Sequence, residues 1–287
     1  MVNKSAQIST VSDNIRTLKA RADITGEQLE ICNRQLMGLV AEDESELLTV
    51  WKKYCQGTFS PSVADKAQLC RYLCEEWRTA EVLAHLDMLQ DGEGTSAEAW
   101  GRIAYVRNKK NDKVFLDLSK KIKTARAFYA ASFSEACEAV YNGICEFCIL
   151  PVENEREGKL YSFYTMMDRF ELKICRVIYE DTDNGANGIV YALVGRDISF
   201  DISDGEYKRF EFSVVHENAD FVADVISAVK LFGGTVVIVG TQPVPYDELK
   251  SKYYLSVDLE SASVLPLALY MYLDYPRYSP IGLYSIR

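Results

Sequence analysis

The apolar positions of the chain change rhythm twice. Up to about residue 90 they recur at helical spacing. Ile15, Leu18, Leu29, Ile31, Leu36 and Leu39 predict a helix over 14–40, weakened at Gly26. Residues 44–54 predict a second. Ser60 and Pro61 read as the N-cap and first position of a third, which carries Leu69, Leu73, Trp77, Val82 and Leu86 on one face and runs to about Leu89. The polar, glycine-bearing run 91–96 reads as a joint.

From Arg102 short apolar runs alternate with helical patterns. Strands are expected at 103–106, 125–130, 147–150, 172–179 and 189–194. Helices are expected at 114–122, 133–141 and 159–170, the second capped by Ser132 with Glu135 in the capping-box position. Such alternation predicts a mainly parallel sheet with helical crossovers. Residues 196–206 form a second joint. The last stretch reads as strand 210–216, helix 220–232 closed by Gly233-Gly234, strands 235–239 and 253–259, helix 263–273 and strand 281–286. That βαββαβ order is ferredoxin-like. The expected fold class is therefore multidomain α and α/β: a helical domain over 1–90, an α/β lobe over 100–198 and a βαββαβ domain over 207–287.

Composition narrows the function classes. About half of the 287 residues are apolar, enough for real cores, but no run approaches the roughly 18 apolar residues of a membrane span. Residues 1–10 lack the apolar segment of a secretion signal, so the eight cysteines are expected to be reduced thiols in the cytoplasm. A net charge of −10 argues against nucleic-acid binding. Cys145 and Cys148 form a C-x-x-C, and Cys70 and Cys74 lie four apart, yet no second pair completes either. With only two histidines, His85 and His216, they read as buried structural thiols, and neither a metal nor a cofactor is expected. Arg107, Lys109, Lys110 and Lys113 make a basic cluster in what reads as a loop after the first α/β strand.

The run Pro151-Val152-Glu153-Asn154-Glu155-Arg156-Glu157-Gly158 resembles the Pro-Ile-Glu-Asn-Ser-x-x-Gly signature of prephenate dehydratase, with Glu155 in the place of its Ser. Ile103–Val106 is similar to that family's opening strand. Ser132–Val140 is similar to its Ser-Phe-x-x-x-x-x-Ala-Val helix, and Tyr191–Arg196 to the strand that ends in Gly-Arg. Residues 207–287 resemble the ACT regulatory domain that follows the dehydratase. Residues 44–78 resemble, weakly, the helical chorismate mutase that precedes it in bifunctional enzymes. The resemblance implies a single periplasmic-binding-protein-like lobe, an ACT domain that pairs into a homodimer, and an aromatic amino acid or related small molecule as effector. It places ligand contacts at Asn154 and Arg107, at Asp220, Phe221 and Val222 for the phenylalanine-contacting turn, and at Thr241 and Gln242 for the Glu-Ser-Arg-Pro motif.

The same resemblance shows what is missing. The glycine-rich loop after the opening strand is replaced by Arg107–Asp112. The Thr-Arg-Phe motif with the catalytic Thr corresponds to Ile189-Val190-Tyr191, and a hydrocarbon side chain can neither donate nor accept a proton. Glu155 puts an anion where a hydroxyl should meet a dicarboxylate. The second lobe, inserted between strands in the family, has only residues 180–188 to occupy. The mutase-like segment offers Arg21, Arg34, Lys52 and Arg71 as cations and Glu44 and Glu81 as acids. These losses imply a non-catalytic, prephenate dehydratase-like protein with vestigial Glu153, Asn154 and Glu155, acting as a ligand-binding, regulatory or scaffolding protein. The alternative is an active mutase/dehydratase of phenylalanine biosynthesis, completed by a partner chain.

Overall fold

The computed structural model describes residues 4–20, 31, 35, 47–56, 61–76, 89–90, 101–121, 124–154, 158–159, 161–180, 189–200, 207–244 and 247–285. They fall into two compact units, Met1–Leu86 with Val214–Ser279, and Asp87–Ser213 with Pro280–Arg287. The units cut across the three segments read from the sequence. The N-terminal helices share a unit with most of the βαββαβ segment, whose first and last strands each give residues to both units.

In the first unit, α1 spans Lys4–Ala20, α2 Leu47–Cys55 and α3 Val63–Glu76. The first helix starts at Lys4, ten residues before the apolar period suggested, because Lys4–Asp13 holds no helix breaker. The cap of α3 is Ser62, not Ser60. Its hydroxyl accepts from the Asp65 N–H at 3.3 Å while the Asp65 carboxylate accepts from the Ser62 N–H at 2.9 Å, a reciprocal capping box. Leu69 and Leu73 are buried as expected; Trp77, Val82 and Leu86 lie outside the described residues.

The rest of that unit carries the end of β9 (Tyr207–His216), α7 (Phe221–Leu231), β10 (Thr235–Val244), β11 (Asp247–Glu260) and α8 (Ser261–Asp274). β10 and β11 form one antiparallel hairpin from Thr235↔Asp258 to Val244↔Asp247, far longer than the strands expected at 235–239 and 253–259. With β12 (Tyr278–Ser285), the chain order is β9-α7-β10-β11-α8-β12. The strand neighbours run β10-β11-β9-β12, so β10 is an outer strand. The helix α8 is buried almost all round, through Val264, Leu265 and Leu267–Met271, and α7 buries Phe221, Val225, Ala228 and Val229.

The second unit contains β1 (Leu89–Gln90), β2 (Arg102–Val106), α4 (Lys109–Lys121), β3 (Arg126–Ala130), α5 (Phe133–Tyr141), β4 (Phe147–Asn154), β5 (Gly158–Lys159), α6 (Tyr161–Arg169), β6 (Lys173–Glu180), β7 (Ile189–Gly195) and β8 (Ser199–Phe200). Leu89 is not helical: β1 pairs with β8 in parallel. The main strands lie in the order β12-β6-β7-β4-β2-β3. Parallel pairing holds for β2 with β3 and β4, and for β12 with β6. β7 is antiparallel to both of its neighbours, β4 and β6. The expected parallel sheet is thus mixed. A connection as short as the one from β6 to β7 can join neighbouring strands only antiparallel. Ile103, Tyr105, Val114, Leu118, Ile149, Tyr191 and Leu193 make the core on the α4 face.

Candidate functional site

In open α/β sheets ligands bind outside the carboxyl ends of the parallel strands. Here that edge is formed by β2, β3 and β4 with the starts of α4 and α5. The basic run after β2 is not a loop. Asn108 caps α4: its Oδ1 accepts from the N–H of Lys110 at 3.0 Å and of Asn111 at 2.9 Å. Asn111 is buried and its Nδ2 donates to the Val106 carbonyl at 2.6 Å, tying the first turn to the strand end. The helix therefore begins five residues before the expected 114. The donors that an anion would need at this helix start are taken by the chain's own side chain.

The start of α5 is closed in the same way. Ser132 accepts from the Glu135 N–H at 3.1 Å, and the Glu135 carboxylate accepts from the Ala131 N–H at 2.7 Å. The Ser132 half of the capping box read from the sequence is present, while the Glu135 carboxylate takes the N–H one residue before the cap. The candidate ligand residue Arg107 lies with its guanidinium 5.1 Å from the centre of the Tyr129 ring. Tyr129 in turn meets Tyr105 edge-on at 5.4 Å. Burial, with hydrogen bonds to Tyr129 and Asp112, pushes the Tyr105 phenol above its ordinary range.

Pro151–Asn154 is strand, so the strand expected at 147–150 runs four residues further. β4 continues to Asn154, pairing Glu153 with Val190 and Asn154 with Ile189 on one side, and Glu153 with Lys159 and Asn154 with Gly158 on the other. A register shift between Pro151 and Glu153 lets the strand pass the proline. The helix starts at Tyr161 instead of 159 because Gly158 and Lys159 form β5. Glu153 and Asn154 are thus placed by two strand partners; Glu155 lies outside the described residues. Cys145 and Cys148 are buried as expected. Burial raises the thiol pKa of Cys145, and a hydrogen bond to Cys137 with burial raises that of Cys148, which keeps both unreactive. Among the described residues no group of three or more His, Cys, Asp or Glu could hold a metal ion.

The remaining candidates belong to the first unit. Asp220 precedes α7 without a side-chain cap bond. Phe221 is 5% exposed. Its ring packs on His216 at 4.8 Å, Tyr253 at 5.0 Å and Tyr275 at 5.5 Å. Thr241 is the strand partner of Tyr253, so the α7 start and the Thr241–Gln242 pair are joined through that one tyrosine. Gln242 accepts a hydrogen bond from the Tyr254 hydroxyl at 3.1 Å. Val222 is half-buried. His216 is half-buried, with Nδ1 3.1 Å from the Asn218 carbonyl. Among the mutase-like cations, Arg71 donates to the Leu231 carbonyl and lies over the Phe232 ring, capping the end of α7; Lys52 is exposed. Arg21, Arg34, Glu44 and Glu81 lie outside the described residues.

Sequence reasoning missed Asn108, Asn111, Tyr129 and Tyr253. The spacing Asn108-Lys-Lys-Asn111 ahead of an apolar period was a readable N-cap signal. The tyrosine contacts depend on strand register and had none.

No family model and no curated protein matches the chain. Solved structures do match its fold. A prephenate dehydratase from Streptococcus mutans is 15% identical with a TM-score of 0.50, over 64% of this chain and 98% of that one. The prephenate dehydratase of Arthrobacter aurescens in complex with L-Phe is 12% identical with a TM-score of 0.51, over 64% and 90%. GqqA, described as a novel type of quorum quenching acylase, is 14% identical with a TM-score of 0.51, over 65% and 95%. The fold is therefore of the class seen in prephenate dehydratases. No described helix is long and apolar enough to cross a membrane.

Proposed function

We propose that the chain is a non-catalytic relative of the prephenate dehydratases, retaining one lobe and an ACT-like domain, with a regulatory or scaffolding role linked to aromatic amino acid metabolism. The observation that carries this reading is the direct pairing of β6 with β7. Glu180 lies opposite Ile189, and only eight residues separate them in the sequence. A second lobe has no place to enter there. The self-capped starts of α4 and α5 support the same reading, since they leave no donor cradle for a dicarboxylate.

The βαββαβ segment is read as ACT-like on its element order and strand neighbours. Its effector turn is filled by the chain's own Phe221, so the ligand seat of this domain is closed to a free phenyl ring. The outer strand β10, with Val237 and Val239 each 44% exposed, is the edge through which two copies would pair. The helical segment is read as mutase-derived, with Arg71 turned to a structural task.

The test is direct: incubate the purified chain with prephenate and measure phenylpyruvate. No turnover above the spontaneous reaction is expected. A rate of about 1 per second or more overturns the reading.

A further inference from the structure

β3 is the outer strand of its sheet, and one of its faces carries exposed side chains. In the crossing from β2 to β3, α4 packs back over β2, β4 and β7, where Val114 and Leu118 sink among Ile103, Ile149, Tyr191 and Leu193. Among the described residues, no helix packs on the α4 side of β3. Along Arg126–Ala130 the residues run exposed, exposed, half-buried, exposed, buried. Tyr129 is 55% exposed and Leu116 58%. Tyr129 packs on Tyr105, which stacks at 5.1 Å on the half-buried Phe115, so these rings form one strip, and Leu116 opens on the solvent side of α4.

The rim of that strip is basic. Lys109 and Lys113 share the solvent stripe of α4 with Leu116, Lys120 there is paired with Asp117 at 2.6 Å, and Arg107 braces the Tyr129 ring. Residues 107–130 hold eight lysines or arginines against two aspartates, in a chain whose net charge is −10. A local excess of cations on a strongly acidic protein is not a by-product of composition.

We propose that the α4–β3 face docks an acidic amphipathic helix of a partner protein. Charge complementarity selects the acid, since cations at a rim steer association and set its salt dependence. The exposed tyrosine and leucine select an apolar stripe on the same helix, with Tyr129 and Arg107 as anchors of the kind that dominate protein interfaces. A nucleic acid would satisfy the lysines but leave the leucine idle, and the remainder of the molecule repels a polyanion.

The probe is a fluorescent synthetic helix of about 18 residues, with Leu at i, i+3, i+4, i+7 spacing and Glu elsewhere. Anisotropy titration of the full chain is expected to show saturable binding that weakens about tenfold between low and high salt. Lys109→Glu should weaken it about fivefold, and Tyr129→Ala as much. The substitution at 109 sits in the first turn of α4, where an acid favours the helix, so lost binding would not reflect lost folding. Equal binding of a scrambled peptide of the same composition, equal binding of oligothymidylate, unchanged affinity in Tyr129→Ala, or no saturation up to about 1 mM each overturns the proposal.

Discussion

The Lys66 ammonium reaches both carboxylate oxygens of Asp274, at 2.9 and 2.8 Å, although 208 residues separate the two in the chain. Trp51 adds an indole N–H to the same carboxylate at 3.2 Å. One acid at the end of α8 thereby fastens both α2 and α3.

Removing either partner should unlatch these helices. The side chains are only 19% and 15% exposed, so the pair stands between a solvated ion pair and a buried one. Asp274→Ala or Lys66→Ala is expected to destabilise the protein by about 2 kcal/mol, read from urea unfolding. The double variant should cost less than the sum of the singles. Additive effects would mean that the contact contributes nothing of its own.

Two strands approach closely at Gly282. A Cβ built there would meet the Ile174 Cβ at 2.5 Å, across the single parallel register that joins β12 to β6. Gly282→Ala should therefore lower stability by several kcal/mol, about 3 as an order of magnitude. Ile174→Ala in the same chain should relieve part of that loss. A thermal midpoint unchanged by Gly282→Ala would refute the close approach.

Glu211 is 1% exposed and accepts hydrogen bonds from the phenols of Tyr164, at 3.0 Å, and Tyr284. A buried carboxylate survives only with such donors. Tyr164→Phe and Tyr284→Phe are each expected to cost about 1–3 kcal/mol, with strong coupling between them. Glu211→Leu should be milder than Glu211→Ala, because it refills the space. Denaturant curves of the four variants check this order.

Alkaline pH should unfold the protein. Burial raises the thiols of Cys55 to about 11 and of Cys74 to about 12, from an ordinary 9.0. It also lifts the phenols of Tyr270 and Tyr284 above theirs. Raised pKa values mean that the folded state keeps protons that the unfolded state has lost. Stability is then full below the unfolded pKa and falls as pH climbs toward the folded one. The urea midpoint should hold steady from pH 7 to about 8.5 and decline beyond pH 9, more steeply above 10 as the tyrosines join. An equal midpoint at pH 7 and pH 10 would contradict it.

Much of the element order was legible. β2, β3 and α5 declared themselves by clean periods, and Ser132 with Glu135 announced the start of α5. The βαββαβ series was equally plain, although the β10–β11 hairpin outran its apolar core because its ends are polar. Pro151 hid the far half of β4, since strand propensity ends at a proline unless a bulge absorbs it. The starts of α1 and α4 were hidden by polar and charged residues that carry no period. The grip of Lys66 on Asp274 and the packing of Phe221 on Tyr253 left no trace in the sequence, because both depend on distant segments meeting.

The placement of β12 sets a timetable for the nascent chain. Gly282 pairs with Ile174 and the strand lies between β9 and β6, so the sheet of the second unit lacks an inner member until residues 278–285 have been translated. While α7, β10, β11 and α8 are being made, β6 must wait with one edge unpaired. On the ribosome β6, although translated well before β12, is therefore among the last strands to be sealed, and this interval is when a chaperone would find the chain.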